Sequence, residues 1–213
     1  MKYIILILFI GQVTLTLAQS PGNVAVVNLQ LWMKANANAY TNSGTTLATD
    51  GQTLQQWNDQ TTNLNHANQT TASRRPTFRD NATNNANYNP VVEVDNGLGG
   101  ANRDFMSMNQ ALLPSSNAAR TLFVVAQPTG SPNNASLLYF GDHTSPNNGD
   151  FIGITLTTGI YRLHCGSYTG TSSANSNTEL AIYAYHLPTS PANTGALELR
   201  KNGLELTETD GEG

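Results

Sequence analysis

The sequence predicts an all-β domain built as a two-sheet antiparallel sandwich. Three observations carry this: short runs of β-branched and aromatic residues recur along the chain, clusters of Gly, Pro and Asn separate them, and no amphipathic helical period appears. The 213 residues suit one large domain, because sandwiches and barrels commonly run to about 200–250 residues as a single unit.

Residues 1–18 read as a secretory signal peptide. Lys2 precedes the apolar run Ile4 to Ile10, and Thr16-Leu17-Ala18 satisfies the small-residue cleavage rule. The domain is therefore expected to occupy 19–213. Gly11, Gln12, Thr14 and Thr16 interrupt the apolar run, which falls short of the roughly 20 residues a membrane span needs. No later stretch is long enough to span.

In Val24 to Lys34, Val27, Leu29, Leu31 and Met33 alternate with Asn28, Gln30 and Trp32, a period of two that predicts a first strand. Residues 36–51 are Asn, Thr, Ser and Gly with scattered alanines, a loop composition, and Leu54 to Trp57 returns to extended structure. Asp59, Asn63 and Asn65 can then hydrogen-bond their own backbone and close a compact corner. Trp57 is expected to hold that corner against a sheet.

Pro76 to Phe78, Pro90 to Asp95 and Asp104 to Met108 follow as extended pieces, the second closed by Asn96-Gly97. Thr121 to Ala126 is apolar on both faces, which predicts a central strand covered from both sides. Trp32, Trp57, Phe123 and Val125 are the expected core. Leu137 to Phe140, Phe151 to Leu156, Ile160 to His164 and Glu179 to His186 continue the series, and Asn109 to Leu113 is long enough for only a turn of helix. Asn202-Gly203 between Ala196–Lys201 and Leu204–Thr207 is a two-residue hairpin signal.

Charged residues make up only 11% of the chain and the net charge is −4. Such a surface offers no basic footprint for nucleic acid. Cys165 stands alone, so no intramolecular disulfide forms. It shares a strand face with Tyr161 and Leu163 as a small hydrophobe would, and the adjacent His164 points to the other face, where it cannot activate a thiol. His66, His143, His164 and His186 show no zinc spacing. Asn68, Asn81 and Asn134 begin sequons that chance explains in so Asn- and Thr-rich a chain, and they mark exposed loops at most.

Five blocks occur in order: Pro21-Gly22-Asn23-Val24, Leu29 to Ala35 around Trp32, Trp57-Asn58-Asp59-Gln60, Arg75-Pro76-Thr77-Phe78, and Asn87-Tyr88-Asn89-Pro90-Val91-Val92 with Asp95. Together they resemble the concanavalin A-like lectin/glucanase (laminin-G-like) domains. More narrowly, they are similar to the version near the start of large secreted or surface proteins of gliding bacteria. The resemblance implies a jelly-roll sandwich in which Trp32, Trp57, Asp59, Pro90 and Asp95 are structural. It also implies further strands after the Asn202-Gly203 hairpin, so the domain is expected to lack its last strands and to leave one edge open and an inner face partly uncovered. Two departures stand out. Thr61, Thr62 and Leu64 occupy positions after Asp59-Gln60 where the family usually has glycines, and Val94-Asp95-Asn96-Gly97 replaces an aromatic-Asp-Gly ending.

Glu93-Val94-Asp95 partly matches the Glu-x-Asp-x-x-Glu of glucanases with this fold, but the third carboxylate is missing because Leu98 stands there. Glycoside cleavage needs two carboxyl groups about 5–10 Å apart, and Glu93 with Asp95 identifies no acid and base pair. Asp142, Asn147, Asn148 and Asp150 concentrate oxygen ligands in one loop, as calcium requires. The same residues are ordinary turn formers, and their spacing matches no recognised calcium loop. The expected function is a non-catalytic recognition or adhesion module of a secreted or cell-surface bacterial protein, contacting carbohydrate or surface components. The alternatives are a polysaccharide hydrolase or lyase, and a structural spacer.

Overall fold

In a computed structural model the described residues are 21, 24–95, 103–114, 118–127, 129, 135–140, 152–157, 160–165, 168–172, 179–187, 198–206 and 208–211. Residues 1–18, Asn96-Gly97 and the calcium candidates Asp142, Asn147, Asn148 and Asp150 lie outside them. The chain is all-β. Among the described residues every strand pairing is antiparallel, and the only helical pieces are 3-10 turns such as Val26–Asn28, Ala72–Arg74 and Gln110–Leu112. No helix among them is long and apolar enough to cross a membrane.

The first strands are short. Ala39–Tyr40 (β1), Gln56–Trp57 (β2) and Ala67–Asn68 (β3) form one sheet, and Thr77–Arg79 (β4) pairs with Val91–Glu93 (β5). The longer strands follow as Arg120–Ala126 (β6), Ala135–Phe140 (β7), Ile152–Thr157 (β8), Ile160–Cys165 (β9), Tyr168–Ser172 (β10) and Ala181–Leu187 (β11). Glu198–Lys201 (β12), Leu204–Glu205 (β13) and Glu208–Gly211 (β14) end the series. They build a five-stranded sheet in the order β14-β10-β9-β8-β7 and a four-stranded sheet in the order β13-β12-β11-β6.

The expected first strand at Val24 to Lys34 does not form. A 3-10 turn at Val26–Asn28 and a single bridge from Met33 to Asp59 replace it. Its backbone groups are taken by the corner instead: Gln60 donates to the Trp32 carbonyl at 2.8 Å and the Trp57 indole to the Lys34 carbonyl at 2.7 Å. Asp104 to Met108 likewise contributes only a bridge between Ser107 and Asn68. The loop at 36–51 contains β1, whose Ala39 is buried.

Leu54, Ala39 and Phe78 make a small core against which Ala48, Trp57, Val92 and Met106 pack. A second apolar layer lies on one face of the four-stranded sheet, where Ala181, Tyr183, Tyr185 and Leu199 are buried. The core expectation needs correction. Trp32 and Trp57 are only half-buried. Phe123 and Val125 are 69% and 64% exposed. β6 is not a central strand but stands at the end of its sheet, and its burial alternates residue by residue, the period of a strand with one covered face.

Asn202 and Gly203 adopt φ of 50° and 83° between β12 and β13, the geometry of a tight two-residue hairpin. β10 and β14 had no clear sequence signal. They pair with each other through Thr169–Gly211 to Ser172–Glu208 and extend the five-stranded sheet.

Candidate functional site

The corner after Trp57 is organised by a buried carboxylate. Asp59 accepts the Trp32 amide at 3.0 Å, the Thr61 amide at 2.9 Å, the Thr61 hydroxyl at 2.7 Å and the Asn65 amide at 3.1 Å. Burial pushes its carboxyl up, but these four donors outweigh burial and hold it below the usual range. Asn65 exchanges two further bonds with the Asn109 backbone, and Lys34 lies over the Trp32 ring at 5.1 Å. Leu64 takes φ of 53°, so this turn uses a left-handed residue without a glycine. With every lone-pair direction occupied from within, Asp59 is a structural group.

The loop joining β4 to β5 is different. Its first half is fixed by Asp50, which accepts the Asp80 amide at 2.8 Å and the Asn81 side chain at 3.0 Å on both oxygens. Asn81 in turn accepts the Thr83 and Asn84 amides. The second half is a two-residue turn in which Ala86 and Asn89 exchange backbone hydrogen bonds of 2.8 and 2.9 Å across Asn87 and Tyr88. Both central residues have positive φ, 48° and 65°. Asn tolerates that region, whereas a bulky tyrosine is strained there. Tyr88 is also 96% exposed. The turn thus presents a fully exposed aromatic on a strained backbone, in a stretch that also carries Asn84, Asn85, Asn87 and Asn89. Half-buried Pro90 leads directly from this turn into β5.

Carboxylates collect at the other end of β5. Glu93 is held by Arg79 at 2.5 Å. The Asp95 amide donates to the Asp104 side chain at 3.1 Å, and the Asp104 amide to the Asp95 carbonyl at 2.9 Å. Burial first, and then the charges of Asp95 and Glu93, push the Asp104 carboxyl above its ordinary range although the Asp95 amide opposes them. Sequence reading identified Glu93 and Asp95 but missed Asp104, because only the fold brings a residue from that position beside them.

His66 and His186 have separate partners, and His143 lies outside the described residues. His66 accepts the Asp59 amide through Nδ1 at 3.2 Å, and His186 lies 3.0 Å from the Thr121 hydroxyl. Among the described residues no group of three His, Cys, Asp or Glu side chains is placed to hold a metal ion. The Asn68 and Asn81 amides of the sequons are engaged, with the His66 carbonyl and with Asp50. No family model, curated protein or solved structure matches this chain.

Proposed function

We propose that this chain is a non-catalytic recognition or adhesion module of a secreted or cell-surface bacterial protein, and that it binds carbohydrate through the loop between β4 and β5. The observation that carries the reading is Tyr88, a wholly exposed aromatic held at φ of 65°. Strain of this kind costs on the order of 1–2 kcal/mol per residue and persists where the surroundings impose it, commonly at ligand sites. A tyrosine ring offers a large, rigid, amphipathic contact surface at low entropic cost, and neighbouring Asn side chains supply adaptable donors and acceptors. That combination suits a sugar, with one apolar ring face and a rim of hydroxyls. The accompanying fold reading is a jelly-roll sandwich, supported by the two larger antiparallel sheets together with the five-block resemblance.

A glycan array with and without calcium tests the proposal. Binding by the native protein that Tyr88→Ser removes is the expected result, and a uniformly blank array counts against carbohydrate. A second reading, polysaccharide hydrolysis, is favoured by one observation, the raised Asp104 carboxyl beside Asp95 and Glu93. It predicts reducing-end release that Asp104→Asn abolishes. Glu93 speaks against it, because its carboxylate is already engaged by Arg79 at 2.5 Å.

A further inference from the structure

Thr49 to Gln52 is a turn closed by the Gln52 amide on the Thr49 carbonyl at 3.0 Å and by the Thr49 amide on the Gln52 side chain at 2.8 Å. It is tied to β4, because Gly51 donates to the Phe78 carbonyl at 2.9 Å, Phe78 donates to the Gln52 carbonyl at 2.8 Å, and the Phe78 side chain is buried in the small core. Asp50 therefore stands on a firm support. From there it holds the Asp80 amide and the Asn81 side chain, and Asn81 passes the hold on: its side-chain oxygen accepts the Thr83 and Asn84 amides at 3.0 Å each, and its carbonyl accepts the Asn84 and Asn85 amides at 3.1 and 2.9 Å. Asn85 adjoins Ala86, where the Tyr88 turn begins, and Pro90, with φ set by its ring, follows Asn89, where the turn ends. The turn is held at both ends. A tyrosine does not adopt a positive φ unless its surroundings impose it.

We propose that Asp50 is the positioning residue of the Tyr88 loop, its hold on Asn81 keeping Tyr88 in the geometry that meets the ligand. The ligand half of this rests on the carbohydrate reading; the geometric half does not. The chemistry of the pair requires a carboxylate at position 50. Asn81 donates its side-chain amide to both oxygens of Asp50 while its own oxygen is occupied by the Thr83 and Asn84 amides, so it cannot turn round to offer an acceptor instead. Asp50→Asn therefore sets donor against donor. Asn81→Asp sets carboxylate against carboxylate. Combining the two restores the match with the roles exchanged, since the carboxylate then at position 81 accepts both from position 50 and from the Thr83 and Asn84 amides. The Asn81 side chain, and after it the Asp80 amide, hold the Asp50 carboxyl below its ordinary range, as donors to its charged form do.

Nuclear magnetic resonance of the isotope-labelled protein reads the geometry directly, because a positive φ gives Tyr88 a strong nuclear Overhauser effect between its own amide proton and Hα. Affinity for the glycans that the native protein binds on the array is measured in parallel, with circular dichroism to confirm folding of each variant. Asp50→Asn and Asn81→Asp should each weaken the Tyr88 signal and lower affinity about tenfold, since affinity scales with the fraction of molecules in the competent geometry. The combined variant should recover both, a rescue that a general loss of folding would not show. Asp80→Asn should change neither, because Asp80 enters the contact through its backbone amide. An undiminished Tyr88 signal in Asp50→Asn overturns the proposal, as does a combined variant no better than the single ones, or a lost signal with glycan affinity unchanged. A blank array for the native protein removes the carbohydrate reading alone, and the Tyr88 signal across the variants then decides the role of Asp50.

Discussion

At Asp59 one carboxylate accepts three backbone amides and a hydroxyl, and those donors come from both sides of the corner and from Trp32 in the preceding segment. Asp59→Ala leaves buried amides without an acceptor, each worth about 1–3 kcal/mol, so a loss of about 3 kcal/mol or more is expected in denaturant unfolding. The pH dependence follows from the direction of its shift. A carboxyl held below 3.8 in the folded state contributes stability that is present above that pH and is lost as the pH falls through the folded value. The acid limb of the stability curve should flatten in Asp59→Ala, and an unchanged limb would assign it to other carboxylates. Tyr88 is the opposite case. Tyr88→Gly relieves the strain of a positive φ and should raise stability by up to about 1 kcal/mol while lowering glycan affinity. If stability fell instead, Tyr88 would be packing against its surroundings and not held ready for a ligand.

Among the elements, strands bounded by turn residues were the legible ones: β5 after Pro90, β8, β9, β11, and the β12–β13 hairpin around Asn202-Gly203. The alternation in Val24 to Lys34 misled because period two reports where side chains point, not where backbone hydrogen bonds go. Here they go to Gln60 and the Trp57 indole. β6 misled for another reason. A run apolar on both faces reads as covered on both, and the sequence carries no sign that Phe123 and Val125 face solvent. β10 is Tyr-Thr-Gly-Thr-Ser, too polar for a strand signal, and is drawn into the sheet by its ladders with β9 and β14. The corner at Asp59 was legible from its Asx residues, whereas the strain at Tyr88 and the approach of Asp104 to Asp95 appear only in three dimensions. The Asn202-Gly203 turn gives the test at this scale. A Cβ added at Gly203 would meet nothing within 4 Å, so Gly203→Ala isolates the backbone cost of φ at 83°. A loss of about 1 kcal/mol is expected, and no loss would mean that the turn relaxes to another type.

Among the described residues, neutral amides supply much of the buried polar bonding. The buried polar side chains include Asn65 and Gln69, and Gln69 donates to the Phe105 carbonyl while accepting the Thr71 amide. Arg75 is bound by neutral oxygens of Gln55, Gln69 and Thr70 at 2.7 to 3.1 Å. The ion pairs among the described residues, Arg79–Glu93, Arg200–Glu198 and Arg200–Glu205, all lie at least partly in solvent. Exposed pairs contribute about 0–1 kcal/mol each and are screened by salt, while hydrogen bonds between neutral groups are not. With only 11% charged residues and a net charge of −4, long-range repulsion is small as well. Chemical unfolding in urea at low and at high sodium chloride should therefore give stabilities within about 1 kcal/mol of each other. Urea is the right denaturant because guanidinium would itself screen the charges. A difference of several kcal/mol would place a charge network at the centre of stability and contradict the neutral-amide account.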